Sequence, residues 1–120
     1  MTDPVNNEST TFFVRSKIWI EDSRGKVIFG LGRYRILDAI NRLGSMHAAA
    51  KELHMSYRAV WMRVRSSETR MGKKLIARAG KGSCLTPFAE NLMKQYRRLL
   101  TVIKTETDEV YESLMDDYLS

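Results

Sequence analysis

Three short helical segments, each with a clear start or stop, constrain the fold of this chain more than any other feature. Gly44 and Gly72 suit the left-handed residue that often ends a helix. Ser45 and Ser56 suit the N-cap that begins one. The apolar spacing between these residues is helical. The segments so delimited cover residues 34–43, 46–53 and 57–71.

The turn between the second and third segments is short, so the two helices must cross closely. The alanines at 48–50 supply the small contact residues that a close crossing needs. Leu53, Val60 and Val64 are placed to fill the core beneath them. The pattern predicts a helix-turn-helix with the third helix facing outward.

Two predicted hairpins flank these helices. The first joins residues 12–21 to residues 26–29, which are rich in β-branched and aromatic side chains, through turn chemistry at 22–25. The second joins apolar residues at 74–78 to Cys84 and Leu85 through a Gly-rich basic tip. A basic hairpin directly after a helix-turn-helix is typical of a wing. We therefore predict an α+β, mainly helical fold: a winged helix-turn-helix with an N-terminal β-hairpin.

A long amphipathic helix is predicted at the C-terminus. Thr86 and Pro87 suit its N-cap and first position, and it could run to about residue 119, roughly 50 Å. Its apolar stripe outruns the body, so we expect a second copy of the chain to cover it. The predicted dimerisation residues are Leu92, Tyr96, Leu99, Ile103, Val110 and Leu114. The predicted domains are a flexible tail (1–11), a winged helix-turn-helix domain (12–86) and a dimerisation helix (87–120).

Charge is distributed unevenly along the chain. All 20 Lys and Arg residues lie within residues 1–104, whereas residues 105–120 carry six acidic residues and no basic one. A basic body with an acidic tail suggests a polyanionic partner at one end. The single Cys and the absence of an apolar signal core or membrane-length apolar run favour a cytoplasmic protein.

The outward face of the third helix is suited to duplex DNA. An α-helix fits the major groove, where its N-terminal residues meet base edges. We expect base or sugar contacts there, with packing against the wing as the alternative for the tryptophan. These residues are Tyr57, Arg58, Trp61 and Met62. Phosphate contacts are expected from helix starts, from other arginines and from the wing, with plain solubility as the alternative for the two lysines before the wing. These residues are Ser45, His47, Ser56, Arg63, Arg65, Lys73, Lys74, Arg78 and Lys81.

No other chemistry is predicted from the sequence. His47 and His54 are seven residues apart without partner ligands, so we expect no metal site. No phosphate-binding Gly-rich loop and no nucleophile with a plausible base is present, so we expect neither an enzyme nor a cofactor.

The runs GSMHAAAKELHMSYRAVWMRV and GKKLIARAGKGSCLTPFAENLM resemble the DNA-binding domain of LysR-type regulators. Within that group, SYRAVW at 56–61, together with the leading hairpin and GRYRIL at 32–37, is more similar to the N-terminal domain of the molybdate-responsive ModE regulators. The resemblance implies promoter binding as a homodimer and a role in transcription regulation, with molybdate-related genes as one candidate target.

One part of the ModE pattern is not seen in this sequence. ModE-like regulators carry oxyanion-binding domains after the long helix, and the sequence to Ser120 shows none. We therefore expect DNA binding to carry over and molybdate sensing by this chain not to. A separately encoded sensor remains a candidate partner. The alternative function is an interaction module that recruits a separate sensor or regulator through the long helix.

Overall fold

The computed structural model describes residues 12–119, and in these residues two β-hairpins and four α-helices form the predicted winged helix-turn-helix. The elements are β1 (Trp19–Glu21), β2 (Val27–Gly30), α1 (Leu31–Leu43), α2 (Met46–Glu52), α3 (Tyr57–Met71), β3 (Ile76–Ala79), β4 (Gly82–Leu85) and α4 (Pro87–Leu114). A π-helical turn over Met115–Leu119 follows α4. The predicted flexible tail lies outside the described residues.

Local hydrogen bonds define the helix starts as the sequence predicts. The hydroxyl of Ser45 accepts from the N–H of Ala48, and that of Ser56 from Ala59, each at 3.0 Å. Thr86 caps α4 in the same way. These bonds satisfy N–H groups that have no partner within the helix, so they fix where each helix begins.

Two apolar clusters form the core. One lies among α1, α2 and α3, where small and branched side chains let the helices cross closely; it contains Ile36, Ala39, Ile40, Ala49, Ala50, Val60 and Val64. The other joins β2, α1, the wing and the start of α4; it contains Phe29, Leu37, Leu75, Leu85, Ala89, Met93 and Tyr96. The second cluster places the first turns of α4 in the body of the molecule.

The strands are shorter than predicted. β1 pairs with β2, and α1 begins directly after β2, so residues 12–18 have no partner strand among residues 12–119. The first helix begins at Leu31, three residues before the predicted segment, so Gly32 lies within α1. β3 begins at Ile76, and the N–H of Leu75 before it donates to the carboxylate of Glu68 in α3.

The described residues divide into two compact units. One comprises Ile18–Leu100 and contains both hairpins, the helix-turn-helix and the start of α4. The other comprises residues 12–17 and 101–119. The division between these two compact units falls within α4. In the part of the chain that the structure describes, no helix is long and apolar enough to cross a membrane.

Candidate nucleic-acid interface

The turn between α2 and α3 fixes where the outward helix begins. His54 takes a left-handed backbone conformation with φ of 55°, which is uncommon for a residue with a side chain. The N–H of Met55 then donates to the carbonyl of Ala50 at 2.9 Å, closing the turn. This geometry leaves Tyr57 and Arg58 exposed at the N-terminal end of α3.

Large side chains are exposed along the first two turns of α3. Tyr57 is 39% exposed, Trp61 44% and Met62 52%. Tyr57, Arg58 and Trp61 line a shallow cleft on this surface. Exposed aromatic and apolar side chains next to an arginine make this surface a candidate contact site for a partner. We refer to Tyr57, Arg58, Trp61 and Met62 as the reading face.

His47, at the start of α2, stacks on Tyr57. The two ring centroids are 4.0 Å apart and the planes differ by 11°. The stack limits the positions open to the Tyr57 ring and ties the start of α2 to the reading face. Ser45 and Ser56 act as the predicted caps beside it, with Ser45 half-buried.

The wing is a tight hairpin that rests on the end of α1. Ala79 pairs with Gly82, so the tip is the two-residue turn Gly80–Lys81, and Gly80 has a φ of 58°. A glycine at the first position is typical of such a turn. The N–H of Ser83 donates to the carbonyl oxygen of Gly44 at 2.8 Å. Arg78 and Lys81 are exposed on the hairpin.

Some of the predicted phosphate contacts have partners within the chain. Arg65 pairs with Glu68 at 3.2 Å and lies over the ring of Trp61, 5.8 Å from its centroid. Lys74 lies 3.9 Å from Glu68, and Lys73 lies 6.0 Å from the ring of Phe88. These groups remain exposed, but only part of their charge is available to an outside anion.

A family sequence model identifies the family of this chain. The sequence model of the bacterial regulatory helix-turn-helix protein, lysR family, matches residues 31–90, which is half of the chain. This chain belongs to the LysR family. The match covers the helix-turn-helix and the wing, and the family is one of regulators, not of enzymes.

Several relatives align with this LysR-family chain. The RuBisCO operon transcriptional regulator of Allochromatium vinosum is 38% identical over 70% of this chain and 28% of its own length. The molybdenum transport protein ModE of Azotobacter vinelandii is 31% identical over 68% of this chain and 32% of its own. The molybdenum-pterin-binding protein MopB of Rhodobacter capsulatus is 36% identical over 56% of this chain and 27% of its own length. The chain thus spans less than a third of these relatives.

Solved LysR-type structures share the fold. A CbnR DBD–DNA complex is 26% identical with a TM-score of 0.55, covering 68% of this chain and 94% of that one. ArgP of Mycobacterium tuberculosis is 27% identical with a TM-score of 0.53, covering 70% of this chain and 31% of its own.

A group of polar residues in this LysR-family chain was missed at the sequence level. Glu68 is buried, and its carboxylate accepts from the N–H groups of Leu75 and Ile76. Arg33 donates to the hydroxyls of Ser66 and Ser67 at 3.1 and 2.6 Å. These contacts join residues of different elements, so no local motif points to them.

The predicted dimerisation residues differ in exposure. Tyr96 is only 2% exposed: its ring packs edge-on against Phe29, and its hydroxyl donates to the carbonyl of Ile18. Tyr96 therefore belongs to the core of its own chain, and we remove it from the predicted contacts. Leu99, Val110 and Leu114 are exposed, whereas Leu92 and Ile103 are half-buried. Which residues face a second copy stays a prediction.

Proposed function

We propose that this LysR-family chain binds double-stranded promoter DNA as a homodimer and regulates transcription. The observation that supports this most directly is the reading face: three large, exposed side chains and an arginine at the N-terminal end of α3. A helix presented in this way reaches base edges in the major groove.

The wing and the caps supply the contacts that do not depend on sequence. Lys81 at the wing tip is a point charge on a turn narrow enough to approach the DNA backbone. The N–H groups at the starts of α2 and α3 that Ser45 and Ser56 do not cap are the candidate donors to a phosphate. Contacts of this kind position a protein on DNA, whereas the reading face would select the sequence.

The homodimer rests on α4. Leu99, Val110 and Leu114 are exposed apolar residues on this helix, and a second copy would remove them from water. The alternative, an interaction module that recruits a separate sensor, would use the same residues. It gives no reason for the exposed aromatic residues on α3.

The regulated genes and the effector form a finer hypothesis. The names of ModE and MopB favour molybdate-related genes as targets. The name of the Allochromatium relative, a RuBisCO operon transcriptional regulator, favours target genes of another kind. A separately encoded sensor is compatible with each.

Selection of genomic fragments by the purified chain, followed by titration against random duplexes, tests the proposal. We expect a specific fragment to bind at least a thousandfold more tightly than random DNA at physiological salt, in the range of specific regulators, about 10³–10⁷. Equal affinity for every duplex would leave only a basic surface and would reject the proposal.

A further inference from the structure

A group of three arginines lies on one side of α3, next to the N-terminal hairpin. Arg63 and Arg70 are seven residues apart, about two turns, so they share a side of the helix. Arg33 reaches the same side from α1 through its bonds to Ser66 and Ser67. We refer to Arg33, Arg63 and Arg70 as the arginine cluster.

The cluster is held in place by neutral groups. Ser67 is fully buried and donates to the carbonyl of Ile28 at 2.6 Å while accepting from Arg33. Arg70 donates to the carbonyl of Val27, also at 2.6 Å. Within residues 12–119, none of the three guanidinium groups has a carboxylate at ion-pair distance. The nearby carboxylate of Asp22, which Arg70 influences, is held by backbone N–H groups of its own turn.

The charges of the cluster act on one another. Burial lowers the pKa of Arg33, and the charges of Arg70 and Arg63 lower it further. An arginine stays protonated in proteins all the same, so three positive charges repel one another in this small region. An anion at this position would relieve the repulsion. The bonds to Ser66 and Ser67 use two of the five N–H donors of Arg33, so donors remain for it.

The position of the cluster indicates which anion it would meet. Ser66 follows Met62 of the reading face by one turn, so the two lie on the same side of α3. Arg70 follows Glu68, which holds the base of the wing, by two residues, or about 200° around the helix. The wing and the arginine cluster therefore lie on opposite sides of α3. Arg58 and Met62 of the reading face lie between them, whereas Tyr57 and Trp61 lie on the same side as Glu68.

We propose that the arginine cluster is a second surface for the phosphate backbone of duplex DNA, on the side of α3 away from the wing. Arg33 and Arg70 add phosphate contacts to those expected from the reading face, the helix starts and the wing. The proposal rests on DNA binding by this chain. In this proposal, the N-terminal hairpin positions Arg33 and Arg70 for contact with DNA.

The test is duplex binding by the full chain at several salt concentrations, with Arg33→Gln and Arg70→Gln. Each should weaken binding to random and selected duplexes alike, about three- to tenfold at low salt. Each should also flatten the plot of log affinity against log salt by about 0.9 for each phosphate that is no longer neutralised. Arg35→Gln is the matched control, because Arg35 is exposed on α1 about 200° from Arg33; we expect it to keep the native slope.

A second variant separates a DNA contact from a structural role. Arg33→Lys keeps the charge and loses the fork that binds both serines, so it should lower the melting temperature and keep the native salt slope. If Arg33→Lys loses as much slope as Arg33→Gln, Arg33 only supports the fold. Arg70 is exposed on α3, so Arg70→Gln should stay folded. Its salt slope therefore tests the proposal even if Arg33→Gln unfolds the hairpin.

The outcomes also separate this proposal from the proposed function. If the native chain binds no duplex DNA, the proposed function fails, and this proposal fails with it. If the native chain binds DNA, but Arg33→Gln and Arg70→Gln match Arg35→Gln in affinity and slope, only the arginine cluster is rejected.

Discussion

The carboxylate of Glu68 in α3 accepts a hydrogen bond from the backbone N–H of Leu75, 2.8 Å away at the base of the wing. The same carboxylate also accepts from Ile76 and pairs with Arg65 and Lys74. A single buried side chain of the outward helix thus fixes the start of the wing. Together with the bond from Ser83 to Gly44, this carboxylate holds the wing against the helix-turn-helix.

We first expect Glu68→Ala to destabilise the fold. Leu75 is buried, so the change leaves its N–H without a partner, at a cost of about 1–3 kcal/mol. Glu68→Gln keeps an acceptor and should cost less. Urea denaturation of both variants measures the difference. Equal losses of stability would mean that the charge pairs with Arg65 and Lys74, and not the backbone bonds, hold the wing.

A second prediction concerns the contact between the wing and α1. A Cβ on Gly82 would lie 2.1 Å from the carbonyl oxygen of Gly44, so Gly82→Ala must displace the wing. We expect a decrease of about 1–3 kcal/mol in the free energy of thermal or chemical unfolding, as in other overpacked sites. We also expect weaker binding to all duplexes.

Gly32→Ala is the control for this change. A Cβ on Gly32 meets nothing within 4 Å, and the residue lies in α1, where Ala is the better helix former. Its stability should be unchanged or higher. A Gly82→Ala variant as stable as Gly32→Ala would contradict the close packing of the wing on Gly44.

The third prediction concerns pH. Arg42 links α1 to α2 by binding both Asp38 and Glu52, and its hydrogen bond to Glu52 lowers the pKa of that carboxyl. A carboxyl with a lowered folded-state pKa stabilises the fold above its unfolded pKa, about 4.3. This contribution is lost as the pH falls through the folded value.

Melting temperatures of the native chain and of Arg42→Gln should therefore differ at neutral pH and converge once the pH has fallen through the lowered folded-state pKa of Glu52. The neutral-pH difference should be small, since the pair is exposed. Arg35→Gln provides the control, because Arg35 lies on the same helix and has no carboxylate at ion-pair distance among the described residues. A difference that persists at low pH would rule out the pairing as its cause.

Local signals in the sequence were sufficient to predict the helices. Ser45, Ser56 and Thr86 cap a helix within three residues of themselves, so neighbouring residues alone point to them. The bond from Arg33 to Ser67 spans 34 residues. In the sequence, Ser67 is indistinguishable from any other polar helix residue, because its partners in α1 and β2 come close only in the folded chain. The apolar stripe of α4 does not show, from the sequence alone, which of its residues are buried in the body and which are exposed. Tyr96 is buried and Leu100 packs partly against the same cluster, whereas Leu99 between them is exposed, so only the packed structure shows which side of α4 faces the body.

The fourth prediction is that α4 makes the dimer. Val110 is 69% exposed, and a charge there would be buried against a second copy. Val110→Asp should therefore shift the chain towards a monomer in sedimentation and weaken binding to a two-fold-symmetric operator. Thr105→Asp is the control, since Thr105 is exposed about 140° around α4 from Val110. A monomeric native chain would reject the homodimer altogether.

The last prediction separates reading from positioning. Arg58 lies exposed at the start of α3, where a bidentate contact to a base is worth about 1–3 kcal/mol of discrimination. Arg58→Ala should therefore weaken binding to the operator far more than binding to random duplex DNA.

Lys81 lies at the wing tip and supplies charge without reading sequence. Lys81→Ala should weaken both alike and reduce the salt slope by about one unit for each phosphate that the wing no longer neutralises. Titrations of both duplexes at several salt concentrations measure these effects. If Arg58→Ala weakens both duplexes equally, α3 does not read DNA in the register that Ser56 and the stack of His47 on Tyr57 impose.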